Sequence, residues 1–208
     1  MKKLILALDV EEREKAIQIS ELLEDEVAAI KVNYPLVLSC GIDIIRELSK
    51  PVICDFKVAD IPNTNKKIVN IAKKNGARAI ICHGFMGKES IEACSSVLAT
   101  IVVAEMSNEG SREFFEAHSK RIVGLAIEAN AIGLIAPATR AERIAYIKSM
   151  APEVKILSPG VGAQGGKASD AIINGADFVI VGRTIYESAD PLAAAREINK
   201  EIEAAIKT

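Results

Sequence analysis

Eight short apolar runs recur along the chain at intervals of two to three dozen residues: Leu4–Asp9, Ala28–Asn33, Pro51–Val58, Ala77–His83, Thr100–Ser107, Ala131–Pro137, Val154–Gly160 and Phe178–Gly182. Most are rich in Ile and Val on successive residues. A strand with one wet face alternates apolar and polar residues, whereas a strand covered on both faces does not. The runs therefore read as buried parallel strands. Helix-favouring segments lie between many of them. Glu11 to Glu24 carries Ala16, Ile19, Leu22 and Leu23, Asn65 to Lys74 carries Ile68, Ile71 and Ala72, and Leu192 to Ile206 carries Ala195, Ile198, Ile202 and Ile206. These spacings give each segment one apolar stripe. Gly76 and Gly175 stand just before strands, where a helix C-cap takes glycine. Eight strand–helix units in 208 residues predict an α/β protein, a (β/α)8 TIM barrel in a single domain over residues 1–208. A doubly wound open sheet is the alternative, but no Gly-x-Gly-x-x-Gly follows the first strand.

Composition narrows the function classes. A formal net charge of -2 lacks the basic excess that nucleic-acid phosphates require, and 4% aromatic residues leave no stacking platform for single strands. Lys2 and Lys3 ahead of Leu4–Leu8 imitate a signal peptide, but the apolar run stops at Asp9, too short for an h-region. No apolar stretch approaches membrane-spanning length. Cys40, Cys54, Cys82 and Cys94 have no CxxC spacing, and read as reduced, core-filling residues of a cytoplasmic protein. His83 and His118 lie near no Cys pair, so no metal site is expected.

In a barrel, chemistry gathers where strands end. Those ends carry Asp9, Lys31, Asp55, Lys57, Asp60, His83, Glu105 to Ser107, the segment Ser158 to Gly166, and Gly182 with Arg183. Alternation places Asp55 and Lys57 on one face, and Lys31 reaches the same mouth from the neighbouring strand. Such a set is either catalytic or an ion-pair network holding the barrel top. Gly160 to Gly166, with Gln164 and the following Gly182-Arg183, matches the phosphate site of barrels; a flexible surface loop is the alternative. Glu105 reads as an interior partner for a lysine, and His83 as a hydrogen-bonded structural residue. Arg140 faces the mouth or caps a helix, His118 is exposed, and Tyr34-Pro35 is a turn.

The chain resembles the orotidine 5′-monophosphate decarboxylase family in its short microbial and archaeal form. Leu6-Ala7-Leu8-Asp9, Lys31-Val32-Asn33-Tyr34-Pro35, Asp55-Phe56-Lys57-Val58-Ala59-Asp60-Ile61-Pro62, Cys82-His83-Gly84-Phe85, Glu105-Met106-Ser107, Ser158 to Gly166 and Val181-Gly182-Arg183 stand in the family's order over nearly the whole chain. The resemblance implies conversion of orotidine 5′-monophosphate to uridine 5′-monophosphate, the last step of de novo pyrimidine nucleotide synthesis, without metal or cofactor. It implies that Lys57 stabilises and protonates the C6 carbanion, with Lys31, Asp55 and Asp60 completing its charge network. Asp9 and Lys31 would hold ribose hydroxyls, and Ser107 would meet the pyrimidine. Gln164 would bridge base and phosphate, while Pro159, Gly182 and Arg183 complete the substrate site. A homodimer is implied, with Asp60, Ile61 and Thr64 reaching the neighbouring subunit's site.

Two points qualify the likeness. The family usually continues Glu-Met-Ser with His-Pro-Gly, where this chain reads Asn108-Glu109-Gly110. The Asp-x-Lys-x-x-Asp core is also shared with Mg-dependent sugar-phosphate decarboxylases and aldolases, which typically carry Glu where this chain has Lys31.

Overall fold

The computed structural model describes residues 2–207. Strands β1 (Leu4–Leu8), β2 (Ala29–Val32), β3 (Val52–Val58), β4 (Ala79–His83), β5 (Ala99–Val103), β6 (Gly133–Ile135), β7 (Lys155–Pro159) and β8 (Phe178–Val181) pair in chain order into a closed parallel barrel. Closure sets Leu4 opposite Val179 and Leu6 opposite Val181, which excludes the open sheet. Every apolar run of the sequence supplies one strand. The intervening helices are α1 (Arg13–Leu22), α2 (Tyr34–Cys40), α3 (Pro62–Lys74), α4 (Lys88–Ser95), α5 (Phe115–Glu128), α6 (Ala141–Met150), α7 (Ala168–Ile173), α8 (Arg183–Tyr186) and α9 (Pro191–Ile206). Gly76 and Gly175 adopt φ of 98° and 99°, the left-handed conformation that ends α3 and α7.

Tyr34-Pro35 is not a turn but the first turn of α2. Asn33 accepts the Tyr34 N–H with its side chain, and Pro35 occupies a position whose N–H has no helical partner to lose. The Tyr34 hydroxyl donates to the Phe56 carbonyl at 2.7 Å, and the two rings stack with centroids 5.5 Å apart. Helix α3 likewise begins three residues ahead of Asn65, with Pro62 at its start.

Strand alternation divides the barrel interior into two levels. Ile5, Ala29, Ile53, Ala79, Ile101, Leu157 and Phe178 face the lower, N-terminal end. Two residues further on, Ala7, Lys31, Asp55, Ile81, Val103, Pro159 and Ile180 face the upper end. On β6 the lower position is Gly133, where an added Cβ would meet Leu157 Cδ1 at 2.9 Å. All ionisable side chains among these inward positions lie on the upper level. Cys54, Cys82 and Cys94 are buried and unpaired as expected; Cys40 is only half-buried, at the end of α2.

Candidate active site

The upper end of the barrel encloses a cavity of about 210 Å³. Asp9, Lys31, Asp55, Lys57, Ser107, Pro159, Gln164, Gly182 and Arg183 all line it. The sequence-derived set is therefore brought together from six strand ends, apart from the Asp60 segment.

Its centre is an ion triad. Lys31 Nζ lies 2.8 Å from Asp55 Oδ2, and Lys57 Nζ lies 2.9 Å from the same oxygen and 3.0 Å from Oδ1. Burial pushes the Asp55 carboxyl up, but the two ammonium groups outweigh it and hold its pKa below the ordinary value. Simple alternation does not account for the position of Lys57. The β3–β4 register slips between Cys54 and Val58, and Lys57 sits at φ 41°, left-handed for a residue with a Cβ. Such a conformation costs about 1–3 kcal/mol and persists only where its surroundings over-determine it. Here a bulge at the end of β3 aims an ammonium into the cavity, where the Asp55 carboxylate holds it.

Asp9 presents a buried Oδ1 without a hydrogen-bond partner among the described residues, at the cavity wall. An unmet acceptor there suits a hydroxyl donor. The loop after β7 is ordered by its own backbone: the Gly162 N–H donates to the Gly166 carbonyl at 2.9 Å, and the Gly166 N–H to the Gly160 carbonyl at 3.0 Å. At Gly162, φ 75°, an added Cβ would strike Thr184 Oγ1 at 2.2 Å. The segment is thus a turn held by its own backbone hydrogen bonds and by close approach to Thr184. The Arg183 guanidinium, exposed in α8, has no hydrogen bond or ion pair among the described residues and is free to meet an anion.

Asp60, Ile61 and Thr64 do not line the cavity of their own chain. Asp60 Oδ1 accepts the Ile61 N–H at 2.7 Å, and Asn65 Oδ1 accepts the Asp60 N–H at 3.0 Å. Ile61 is 60% exposed beside them. Asp60 forms no ion pair with Lys57 among the described residues.

Several features escaped sequence reading. Ile81, Val103 and Ile135 form an apolar wall of the cavity, and Asn33, Met106 and Tyr186 line it too. Ile81 and Val103 could have been found by stepping back two positions from His83 and Glu105; β6 has no such polar end to mark Ile135. Glu105 does not meet a lysine. It is fully buried, and Arg143 of α6 clamps it, Nε at 3.0 Å from Oε1 and 3.2 Å from Oε2. Arg140 immediately precedes α6, yet its guanidinium neither enters the cavity nor caps the helix. It donates to the Met106 carbonyl at 2.9 Å and pairs with Glu116 at 3.3 Å. With the Thr139 hydroxyl on the Ser107 carbonyl at 3.1 Å, these bonds fasten the strand-five loop. Asn108-Glu109-Gly110 leads there into a 3-10 turn over Glu109–Glu113. His83 is not hydrogen-bonded: its buried Nδ1 has no partner among the described residues, and its ring packs on Phe85 and Phe115 at 4.7 and 5.8 Å. Burial, and then the charge of Lys57, push its pKa down to about 4. His118 is exposed as expected. Among the described residues no three His, Cys, Asp or Glu side chains cluster as metal ligands would.

Residues 2–198 match the sequence profile of the orotidine 5′-phosphate decarboxylase / HUMPS family. The chain is 53% identical to the orotidine 5′-phosphate decarboxylase of Methanosarcina mazei, covering 98% of this chain and 96% of that one. It is 51% identical to the Thermococcus kodakarensis protein of the same name, over 96% of each. The crystal structure of orotidine 5′-monophosphate decarboxylase from Methanocaldococcus jannaschii, complexed with the inhibitor BMP, superposes with a TM-score of 0.92 at 44% identity, covering 97% of this chain and 99% of that one.

Proposed function

The chain belongs to the orotidine 5′-phosphate decarboxylase / HUMPS family, and we propose that it removes the carboxyl group of orotidine 5′-monophosphate to give uridine 5′-monophosphate. The observation that carries this reading is the Lys57 ammonium, held by Asp55 at the edge of a cavity walled by Ile81, Val103 and Ile135.

Breaking the C6–carboxyl bond leaves an electron pair at a vinylic carbon. A fixed ammonium stabilises that charge as it develops and then transfers a proton to it. Lys57 serves as this group. Asp55 keeps the ammonium in place and sets a negative charge beside the departing carboxylate. Lys31 neutralises the other side of Asp55 and, with Asp9, holds the ribose hydroxyls. Ser107 meets the pyrimidine, and Gln164 spans from base to phosphate. The loop that follows Pro159, with Gly182 and Arg183, binds the phosphate, which is remote from the reacting bond. Its binding energy serves to order the site around the base.

Asp60, Ile61 and Thr64 act in the neighbouring subunit's site of a homodimer. Their position outside their own cavity, with Ile61 exposed, supports this part of the reading. Four unpaired cysteines support a cytoplasmic location, and no helix among the described residues is long and apolar enough to cross a membrane.

The test is the fall in ultraviolet absorbance of orotidine 5′-monophosphate with EDTA-treated protein. Rapid loss, abolished in a folded Lys57→Ala variant, is expected. No loss with folded wild-type protein refutes the substrate. Loss that requires added Mg2+ refutes the metal-free mechanism.

A further inference from the structure

The end of the barrel opposite the active site also holds a cavity. It measures about 470 Å³ and opens broadly to solvent. Ile5, Ile53, Ile101, Leu157 and Phe178 form its apolar depth, and the small side chains of Ala29 and Ala79 leave the space open. Barrels are ordinarily filled by side chains, and an apolar hollow of this size lies within the range of small-molecule sites.

Its ionisable lining has one sign. Lys2, Lys50 and Lys155 line the cavity, and no acidic residue does so among the described residues. Lys2 is paired with Glu26 and Lys155 with Asp177, at 2.9 Å each, whereas Lys50 has no ion pair among the described residues. An apolar depth excludes water-loving ligands, and a cationic lining selects an anionic head over a neutral one.

We propose that this lower cavity is a binding site for a small anionic amphiphile, an aliphatic or flat aromatic body inserted among Ile53, Ala79, Ile101 and Phe178 with its carboxylate or sulfonate at Lys50. Nothing in the decarboxylation uses this end of the barrel, so ligand binding here is independent of the active site.

The probe is the fluorescent aromatic sulfonate ANS, added to wild-type enzyme saturated with uridine 5′-monophosphate so that the upper cavity is occupied. Decanoate should displace it, and decanol should do so at least tenfold more weakly. Lys50→Glu should weaken decanoate tenfold or more. Ala79→Leu, which adds bulk to the floor of the cavity, should weaken binding tenfold or more while turnover at the other end stays unchanged. Should Ala79→Leu fail to fold, Lys50→Glu carries the test, since it adds no bulk to the core. Absence of displaceable binding, decanol equal to decanoate, unchanged affinity in Lys50→Glu, or full binding in an active Ala79→Leu variant each overturns the proposal.

Discussion

Replacing Arg143 by methionine should destabilise the barrel far more than its half-buried surface position suggests. Methionine keeps most of the unbranched stem and removes the charge. What remains is Glu105, with no solvent exposure and with Arg140 Nη2 at 3.9 Å as its nearest counter-charge. Stripping one partner from a buried pair costs about 3–5 kcal/mol. Arg140 keeps the loss near the lower end, about 3 kcal/mol. The contact of the guanidinium with the Tyr146 ring, at 4.5 Å, is lost as well; it contributes about 0.5–1 kcal/mol. A loss of roughly 4 kcal/mol lowers the Tm of a barrel this size by about 8–16 °C. Thermal and urea unfolding followed by circular dichroism measure it. The reasoning locates the penalty in the stranded carboxylate, so Glu105→Met combined with Arg143→Met should recover most of the stability. Glu105 also lies two residues ahead of Ser107, on the loop that Arg140 and Thr139 fasten, so the single variant should show a raised KM. A single variant that loses under about 1 kcal/mol, or a double variant as unstable as the single, refutes the argument.

Three further outcomes are expected. Arg183→Ala should keep its fold and Tm but raise KM about 10–150-fold, the loss of a charge-assisted phosphate contact of about 1.5–3 kcal/mol; unchanged kinetics remove the phosphate assignment. Lys57→Ala and Asp60→Ala should each be nearly inactive, yet their mixture after subunit exchange should regain up to about a quarter of activity, since half the dimers hold one intact site; no recovery with exchange shown independently refutes the shared site. His83 binds its proton less readily in the folded barrel, at about 4, than at its ordinary 6.5. The unfolded chain therefore takes up a proton first as pH falls, and stability should decline from pH 6.5 down to about 4 and then level off for this group. Urea unfolding should show a flatter slope across that window in His83→Phe, which keeps the ring packing on Phe85 and Phe115; an identical slope refutes the assignment. Glu26, held at about 2 by Lys2 and Arg196 against an ordinary 4.5, sheds its own contribution mainly below that window in both proteins.

How much of this was legible in the sequence depends on the range of the interaction. Parallel strands covered on both faces must be apolar on successive residues, so all eight declared themselves. The polar residues at their ends followed from the rule that barrel chemistry sits there. Local chemistry placed Gly76 and Gly175, but the proline-led starts of α2 and α3 went unread because Tyr34-Pro35 and Ile61-Pro62 carry turn and helix-start signals alike. Misreadings concentrate where partners are distant in sequence. Glu105 reads in the sequence as an interior partner for a lysine, whereas its partner lies 38 residues away on α6, whose facing direction no periodicity reveals. Lys57 is the converse case. Alternation put it on the correct face, yet the structure reaches that face through a register slip and a left-handed backbone that alternation does not contain. A regular strand would carry the residue after Asp55-Phe56 onward to the barrel rim. The bulge instead folds Lys57 back onto Asp55, and the conformational cost sits at the residue proposed to move the proton. Strain at that single position, in a barrel otherwise built from unstrained strands, is the observation that favours the catalytic reading of the triad over an ion-pair network that merely holds the barrel top.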